Sequence, residues 1–148
     1  MFQDIKVKLN NGIFDFEITE NGDLALTENF DSLVYASLFT DASAEDGEIA
    51  IKEQQRGWYG NLFNSNQDRQ LGSKIWLYSQ SRNTEDAANL IKNSTYTALK
   101  WLIEDVFLKE IKIETIKNFK ELTLNIKLIT LTNNTENYLF KIWEDFGK

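Results

Sequence analysis

The run Leu122-Thr123-Leu124-Asn125-Ile126-Lys127-Leu128 alternates apolar and polar side chains without a break. Side chains along a strand point to opposite faces in turn, so a period of two predicts a long strand with one buried face. Upstream, Asn118 to Lys120 reads as a turn, and Ile111 and Ile113 alternate with Lys112 and Glu114 in a partner strand. Downstream the phase slips, because Ile129 and Leu131 are apolar at odd positions. Either a bulge intervenes or the far end of the strand meets a different partner. Thr132 to Glu136 forms a polar turn, and Tyr138, Phe140 and Ile142 predict a last strand.

Before this region the period changes to that of a helix. Ala87, Leu90, Ile91, Ser94, Ala98, Trp101, Leu102 and Val106 recur at three- and four-residue spacing. Asn83 or Thr84 is the expected cap, with Glu85 and Asp86 in the first turn favouring the helix dipole. The helix should span about 20 residues, or roughly 30 Å. Trp101, on its apolar stripe, reads as core.

At the other end of the chain, Ile5, Val7 and Leu9 alternate with Lys6 and Lys8, which suits a half-buried strand with one wet face. Asn11-Gly12 is a strong hairpin signal, since both central residues of a type I′ turn need positive φ. Phe14, Phe16 and Ile18 follow, then Asn21-Gly22 turns the chain into Leu24 and Leu26. These strands predict a β-meander over roughly the first 27 residues. Asn29 then caps a helix whose face carries Phe30, Leu33, Val34, Ser37 and Leu38. The fold class is therefore α+β: an N-terminal β-meander, helices including one long amphipathic helix, and C-terminal antiparallel strands.

The 148 residues are expected to form a single domain, residues 1–148. A net charge of −7 argues against binding a phosphate backbone, and no apolar run is long enough to span a membrane. The chain has no Cys and no His, so thiol nucleophiles, thiolate metal sites and the commonest general base are missing. No cofactor or metal is expected. It also has no proline, so its strands lack one common means of blunting a sheet edge against a neighbour's strand. Its lysines are the other such means.

Between the two helical regions the small, acidic segment Asp41 to Gly47 opens an irregular connection that runs to Gln70. Within it lies Arg56-Gly57-Trp58-Tyr59-Gly60, followed by Gly72-Ser73-Lys74-Ile75-Trp76-Leu77. Two aromatic residues between two glycines fit neither a helix nor an ordinary polar turn. They read as an aromatic anchor on a constrained loop, closing either the core or a binding surface. Arg56, Gly57, Trp58, Tyr59, Gly60, Gly72 and Trp76 are the candidate interface residues, with Arg56 favoured because Arg is enriched at binding hot spots. The segment from Gly72 to Gln80 is expected to be a short helix or a strand.

Four motifs in order resemble a known family: Ala36-Ser37-Leu38-Phe39-Thr40-Asp41 with its acidic loop, the Arg56–Gly60 motif, the Gly72–Leu77 motif, and Ala98-Leu99-Lys100-Trp101-Leu102. Over residues 22 to 130 the chain resembles the small baseplate proteins of Mu-like contractile-tailed phages and prophages. These are similar in turn to the wedge proteins, once named lysozyme-like, that initiate the tail sheath. The resemblance implies a virion structural protein of the tail baseplate, made in the bacterial host cytoplasm. It implies contacts with other baseplate wedge, tube and sheath proteins in a six-fold assembly, made partly by strand addition. No nucleic acid, membrane or enzymatic activity is implied.

Two positions depart from that pattern. Tyr59 stands where the family usually has a second tryptophan, and it keeps a large flat ring. Glu104-Asp105-Val106-Phe107 stands where wedge relatives carry a Glu-Pro-Arg turn, and reads as a helix end with two solvated carboxylates. The alternative functions are a carboxylate-based glycosidase and a small acidic host-binding adaptor. A glycosidase needs two carboxylates, one kept protonated, and Asp46, Glu48, Glu53 and Asp68 surround the aromatic loop. With 23 acidic residues, however, neighbouring carboxylates arise by chance, and no spacing singles out a pair.

Overall fold

A computed structural model describes residues 3–10, 13–49, 54–63, 65, 69–79 and 85–144. The chain divides into two compact units, residues 1–36 and 37–148. In the first, strands β1 (Asp4–Ile5), β2 (Val7–Asn10), β3 (Ile13–Phe16) and β4 (Leu26–Thr27) form two antiparallel pairs, β1 with β4 and β2 with β3. The expected Asn11-Gly12 turn lies outside the described residues, but β2 and β3 flank it in the register of a hairpin.

The first strand also does something a simple meander does not. At Lys6 it changes partner: its N–H donates to the Ala25 carbonyl and its carbonyl accepts from the Glu17 N–H, at 2.8 and 3.0 Å. The Ala25 N–H in turn donates to the Glu17 carbonyl at 2.8 Å, so each of the three segments is bonded to both others. Register places Val7 opposite Phe16 and Ile5 opposite Leu26, while Lys6 forms an ion pair with Glu17 at 3.0 Å. The alternation therefore separates an apolar from a charged face, as expected. On the first strand Val7 is half-buried and Ile5 exposed, whereas Phe14, Phe16, Ile18, Leu24 and Leu26 of the segments that follow are all exposed. Phe14 has an aromatic neighbour in Tyr35, 5.1 Å away between ring centres.

Helix α1 (Asp31–Phe39) begins after Asn29, whose side-chain oxygen accepts the Asp31 N–H at 3.3 Å. Its expected apolar face is buried at Phe30, Val34, Ser37 and Leu38. A short 3₁₀ turn, Tyr59–Phe63, and helix α2 (Ile75–Tyr78) follow, so the segment expected from Gly72 to Gln80 holds one helical turn, preceded by a β-bridge at Ser73. Helix α3 (Glu85–Leu99) and helix α4 (Trp101–Glu104) succeed each other across Lys100 and together give the long helix expected. The proposed caps Asn83 and Thr84 lie outside the described residues.

Ala87, Ala88, Ile91, Ala98, Leu99 and Leu102 are buried along this helical pair. Thr95, fully buried among them, satisfies its hydroxyl by donating to the Ile91 carbonyl at 2.8 Å. Leu90, on the expected stripe, is exposed, and Val106 does not continue the stripe at all. It lies beyond the helix end at φ 61°, where the Phe107 N–H reaches the Leu102 carbonyl and the Val106 N–H reaches that of Ile103. That bonding is a Schellman ending, which usually places glycine at the left-handed position.

The C-terminal sheet has the order β5 (Leu108–Lys117), β6 (Glu121–Thr130), β7 (Thr135–Glu144), antiparallel throughout. Helix α3 packs on β5. Leu122, Leu124, Ile126 and Leu128 are buried along β6, together with Ile111 and Ile113 on β5 and Tyr138 and Phe140 on β7. Each such side chain contributes about 1.5–3 kcal/mol on leaving water. After Leu128 the faces of β6 do not change, since Ile129 is half-buried on the opposite face; the bulge lies on β5, where it lets both Leu108 and Ile111 be buried. The register shifts between Leu108 and Glu110, so that Leu108 faces Thr130 while Glu110 faces Ile129. Leu131 then falls in the exposed turn to β7.

Candidate functional site

The structure brings four of the seven candidate residues together around the backbone from Thr40 to Ala44. Ser73 forms a parallel bridge with Asp41: its N–H donates to the Thr40 carbonyl, and its carbonyl accepts the Ala42 N–H, both at 2.9 Å. Gly72, at φ +119°, permits this approach, since a Cβ there would lie 2.8 Å from the Thr40 oxygen. The Ser73 hydroxyl, buried, donates to the Leu38 carbonyl at 2.6 Å. From the following helix, the Trp76 indole N–H donates to the Ala42 carbonyl at 2.8 Å.

Arg56 closes the other side. Its guanidinium lies over the Trp76 ring, 4.5 Å from the centroid, and bonds Asp41 at 2.9 Å. It adopts φ 56°, a conformation uncommon for a residue with a side chain, and so is held by these two contacts. Gly57 follows against Ser43, 3.1 Å from where its own Cβ would be. Arg56, Gly57, Gly72 and Trp76 thus build the loop scaffold.

The other three turn away from it. Trp58 is 49% exposed and Tyr59 72% exposed, and the Trp58 ring lies across Gly60, where an added Cβ would be 2.3 Å from the indole. Leu62 and Phe63, which the sequence reading passed over, are 71% and 74% exposed on the same 3₁₀ turn. Tyr59 and Phe63 meet edge to face at 5.4 Å. Underneath, the buried Asn61 side chain both donates to the Leu71 carbonyl and accepts the Leu71 N–H, each at 2.9 Å. A signal for the missed pair is present in the sequence: residues 57–67 carry no charge, in a chain that is 26% charged.

An open groove of about 1040 Å³ adjoins the scaffold, lined by Ser43, Glu45, Lys74, Ser94, Thr97 and Trp101 among others. Its charges are matched locally. Lys74 bonds Glu48 at 3.0 Å and Glu45 at 3.5 Å, while Arg69 bonds Asp105 at 2.7 Å and reaches Glu104 at 4.0 Å. Glu104 and Asp105 are therefore ion-paired, not merely solvated as the sequence suggested. An arginine from a separate segment thus meets the end of helix α4.

Burial acts to raise the Glu48 carboxyl, but the Glu45 N–H and the Lys74 ammonium outweigh it and hold the group below its ordinary range. A glycosidase acid needs the opposite shift. Asp46 bonds the Gln55 amide at 2.9 Å, and the other two carboxylates of that reading, Glu53 and Asp68, lie outside the described residues. Among the described residues no cluster is placed to hold a metal ion, and no helix is long and apolar enough to cross a membrane.

The sequence matches, over residues 30–136, the model of a family of phage proteins described as phage protein GP46. The chain belongs to this family, and every candidate interface residue falls within the matched span. It is 32% identical over 102 residues to baseplate protein gp46 of Escherichia phage Mu, with 67% of each chain covered. The family is one of Mu-like phage baseplate proteins, in agreement with the resemblance carried by the four motifs.

Proposed function

We propose that this baseplate protein is a non-enzymatic inner wedge component that helps to initiate the tail sheath. In this reading it works as one wedge-like domain over residues 1–148, in a six-fold assembly with other wedge, tube and sheath proteins. Its contacts combine strand addition with docking of the Arg56–Gly60 and Gly72–Trp76 loops. The observation that carries the reading is the pair of edges on the C-terminal sheet. Among the described residues β5 and β7 are each ten residues long and paired on one side only, with no proline in either.

The two edges are not equivalent. β5 carries Lys109, Lys112 and Lys117, whereas β7 carries Lys141 alone. Lysines guard sheet edges, so β7 is the more accessible strand. The Thr130 N–H donates to the Asn134 carbonyl, so even-numbered residues of β7 bond β6 in the regular part of the ladder. The N–H groups of Asn137 and Leu139 then face the open side.

The test is electron microscopy of particles from a strain lacking the gene, complemented with the natural chain or with Asn137→Pro. Sheathed tails should vanish on deletion and return with the natural chain. Asn137→Pro should fold, because edge strands accept proline, yet fail to support sheath. Normal sheathed tails in the deletion strain would overturn the reading.

A further inference from the structure

We infer that the turn Trp58–Phe63 is a preformed, uncharged knob that inserts into an apolar socket on a different protein of the baseplate. The inference rests on the baseplate reading above and names the chemistry of one contact within it. Four large apolar side chains are exposed in six residues, Trp58, Tyr59, Leu62 and Phe63, the last three each more than 70%. Soluble monomers rarely carry such a patch without use.

The knob is held rigid. The Trp58 ring rests on Gly60, Tyr59 braces Phe63 edge to face, and the buried Asn61 amide is tied at both ends to Leu71. Little side-chain freedom is then lost on docking, and such preorganisation raises affinity for a given area. Aromatic residues set in an uncharged segment match the centre of an interface more than its rim.

Charge and area identify the occupant. Residues 57–67 have no charge, so an ionic partner surface would gain nothing here, and a socket lined by acidic or basic groups would bury them unpaired. The four side chains expose roughly 500 Å² together, from the usual size of such residues. A free-standing dimer needs about 800 Å² per partner. A second copy docked through this patch alone is therefore disfavoured, whereas a particle in which other contacts act at the same time is suited to it. A lipid surface fits poorly, because membrane-inserting aromatic residues are usually backed by basic groups. The nearby Arg56 is already committed to Asp41 and Trp76.

The test uses the full chain with a photo-crosslinking benzoylphenylalanine in place of Phe63, incorporated into particles. Irradiated tails should yield one adduct to a different baseplate protein, at an uncharged segment. In parallel, Tyr59→Ser combined with Phe63→Ser should leave the isolated chain folded and monomeric. It should lower incorporation into tails, in competition with the natural chain, by at least about tenfold, the effect of losing one or two hot spots. Leu62→Gln, with both aromatic rings kept, should lower incorporation less.

An adduct to another copy of this chain, sedimentation of the free chain with neutral or anionic vesicles, or equal incorporation of the double variant would each overturn the inference. Those results are distinguishable from failure of the baseplate reading. If the natural chain is found in purified tails while the double variant enters equally well, only the knob is lost. If the natural chain is missing from tails, both are.

Discussion

Replacing Gly72 with alanine tests whether the loop scaffold depends on the close approach of two backbones. The new methyl carbon would lie 2.8 Å from the Thr40 oxygen, 2.9 Å from the Ala42 nitrogen and 3.1 Å from the Asp41 carbonyl carbon. All three are backbone atoms, so no flexible side chain can swing aside. The φ of +119° adds strain of about 1–3 kcal/mol for any residue with a Cβ. Relief requires parting Ser73 from Thr40 and Ala42, at about 1 kcal/mol for each of the two hydrogen bonds. The expected loss is about 3–5 kcal/mol, a large share of the 5–15 kcal/mol typical of a domain. Urea unfolding followed by tryptophan fluorescence reports it, since Trp58, Trp76, Trp101 and Trp143 all belong to residues 37–148. With a slope of about 2 kcal/mol per molar, the midpoint should fall by about 1.5–2.5 M. Gly47→Ala is the control. It shares a positive φ, +91°, but nothing lies within 4 Å of its Cβ, so only strain remains. If Gly72→Ala costs no more than Gly47→Ala, crowding against the 40–42 backbone is not what Gly72 provides.

Three further outcomes follow from other contacts. Ser37 is fully buried and accepts the Trp101 indole N–H at 3.1 Å, so Ser37→Ala should cost about 1–2 kcal/mol in the same unfolding assay. Val106→Gly should stabilise by about 1 kcal/mol, because valine at φ 61° is strained and its side chain is largely exposed; a lower melting temperature would refute the strain. Glu48 titrates below its ordinary 4.5 in the folded chain, so its stabilising effect is complete above that pH and fades as pH falls through the folded value. Glu48→Gln should therefore be the less stable chain at pH 7 and converge on the natural chain in acid. Lys74 gives the mirror image. Burial acts to lower it, but Glu48 and Glu45 hold it above 10.5, so its contribution is complete below that pH and fades at higher pH.

The parts of the fold that were legible in the sequence are those whose pattern is local. The alternation along β6, the stripe on α3 and the Asn21-Gly22 turn, where Gly22 adopts φ +88°, each depend on neighbours a few residues away. What stayed hidden depends on distant partners. The change of partner at Lys6 requires knowing that residue 25 returns to it, and no period encodes that. Val106 fitted the helical stripe by spacing alone, but the helix had already closed through the Phe107–Leu102 bond. The pairing of Arg69 with Asp105 spans 36 residues and leaves no trace in either segment. In the aromatic loop, composition marked the residues but not their division. Trp76 bonds the Ala42 carbonyl and Arg56 is paired with Asp41 and the Trp76 ring, while the exposed Trp58 and Tyr59 make no such contact with the 40–44 segment among the bonds described.

The order of the C-terminal sheet also bears on how the chain is made. Each of its strands pairs with the strand next to it in sequence, β5 with β6 and β6 with β7, without a crossover. Such hairpins close in about 1–10 μs, whereas a ribosome adds about 5–20 residues each second. Closure therefore waits on synthesis. Until the residues of β7 are available, β6 is paired on its β5 side alone, and its other edge stands open with four large aliphatic side chains along the strand. During that interval Thr123, Asn125 and Lys127, on the opposite face, are what oppose its pairing with another nascent chain.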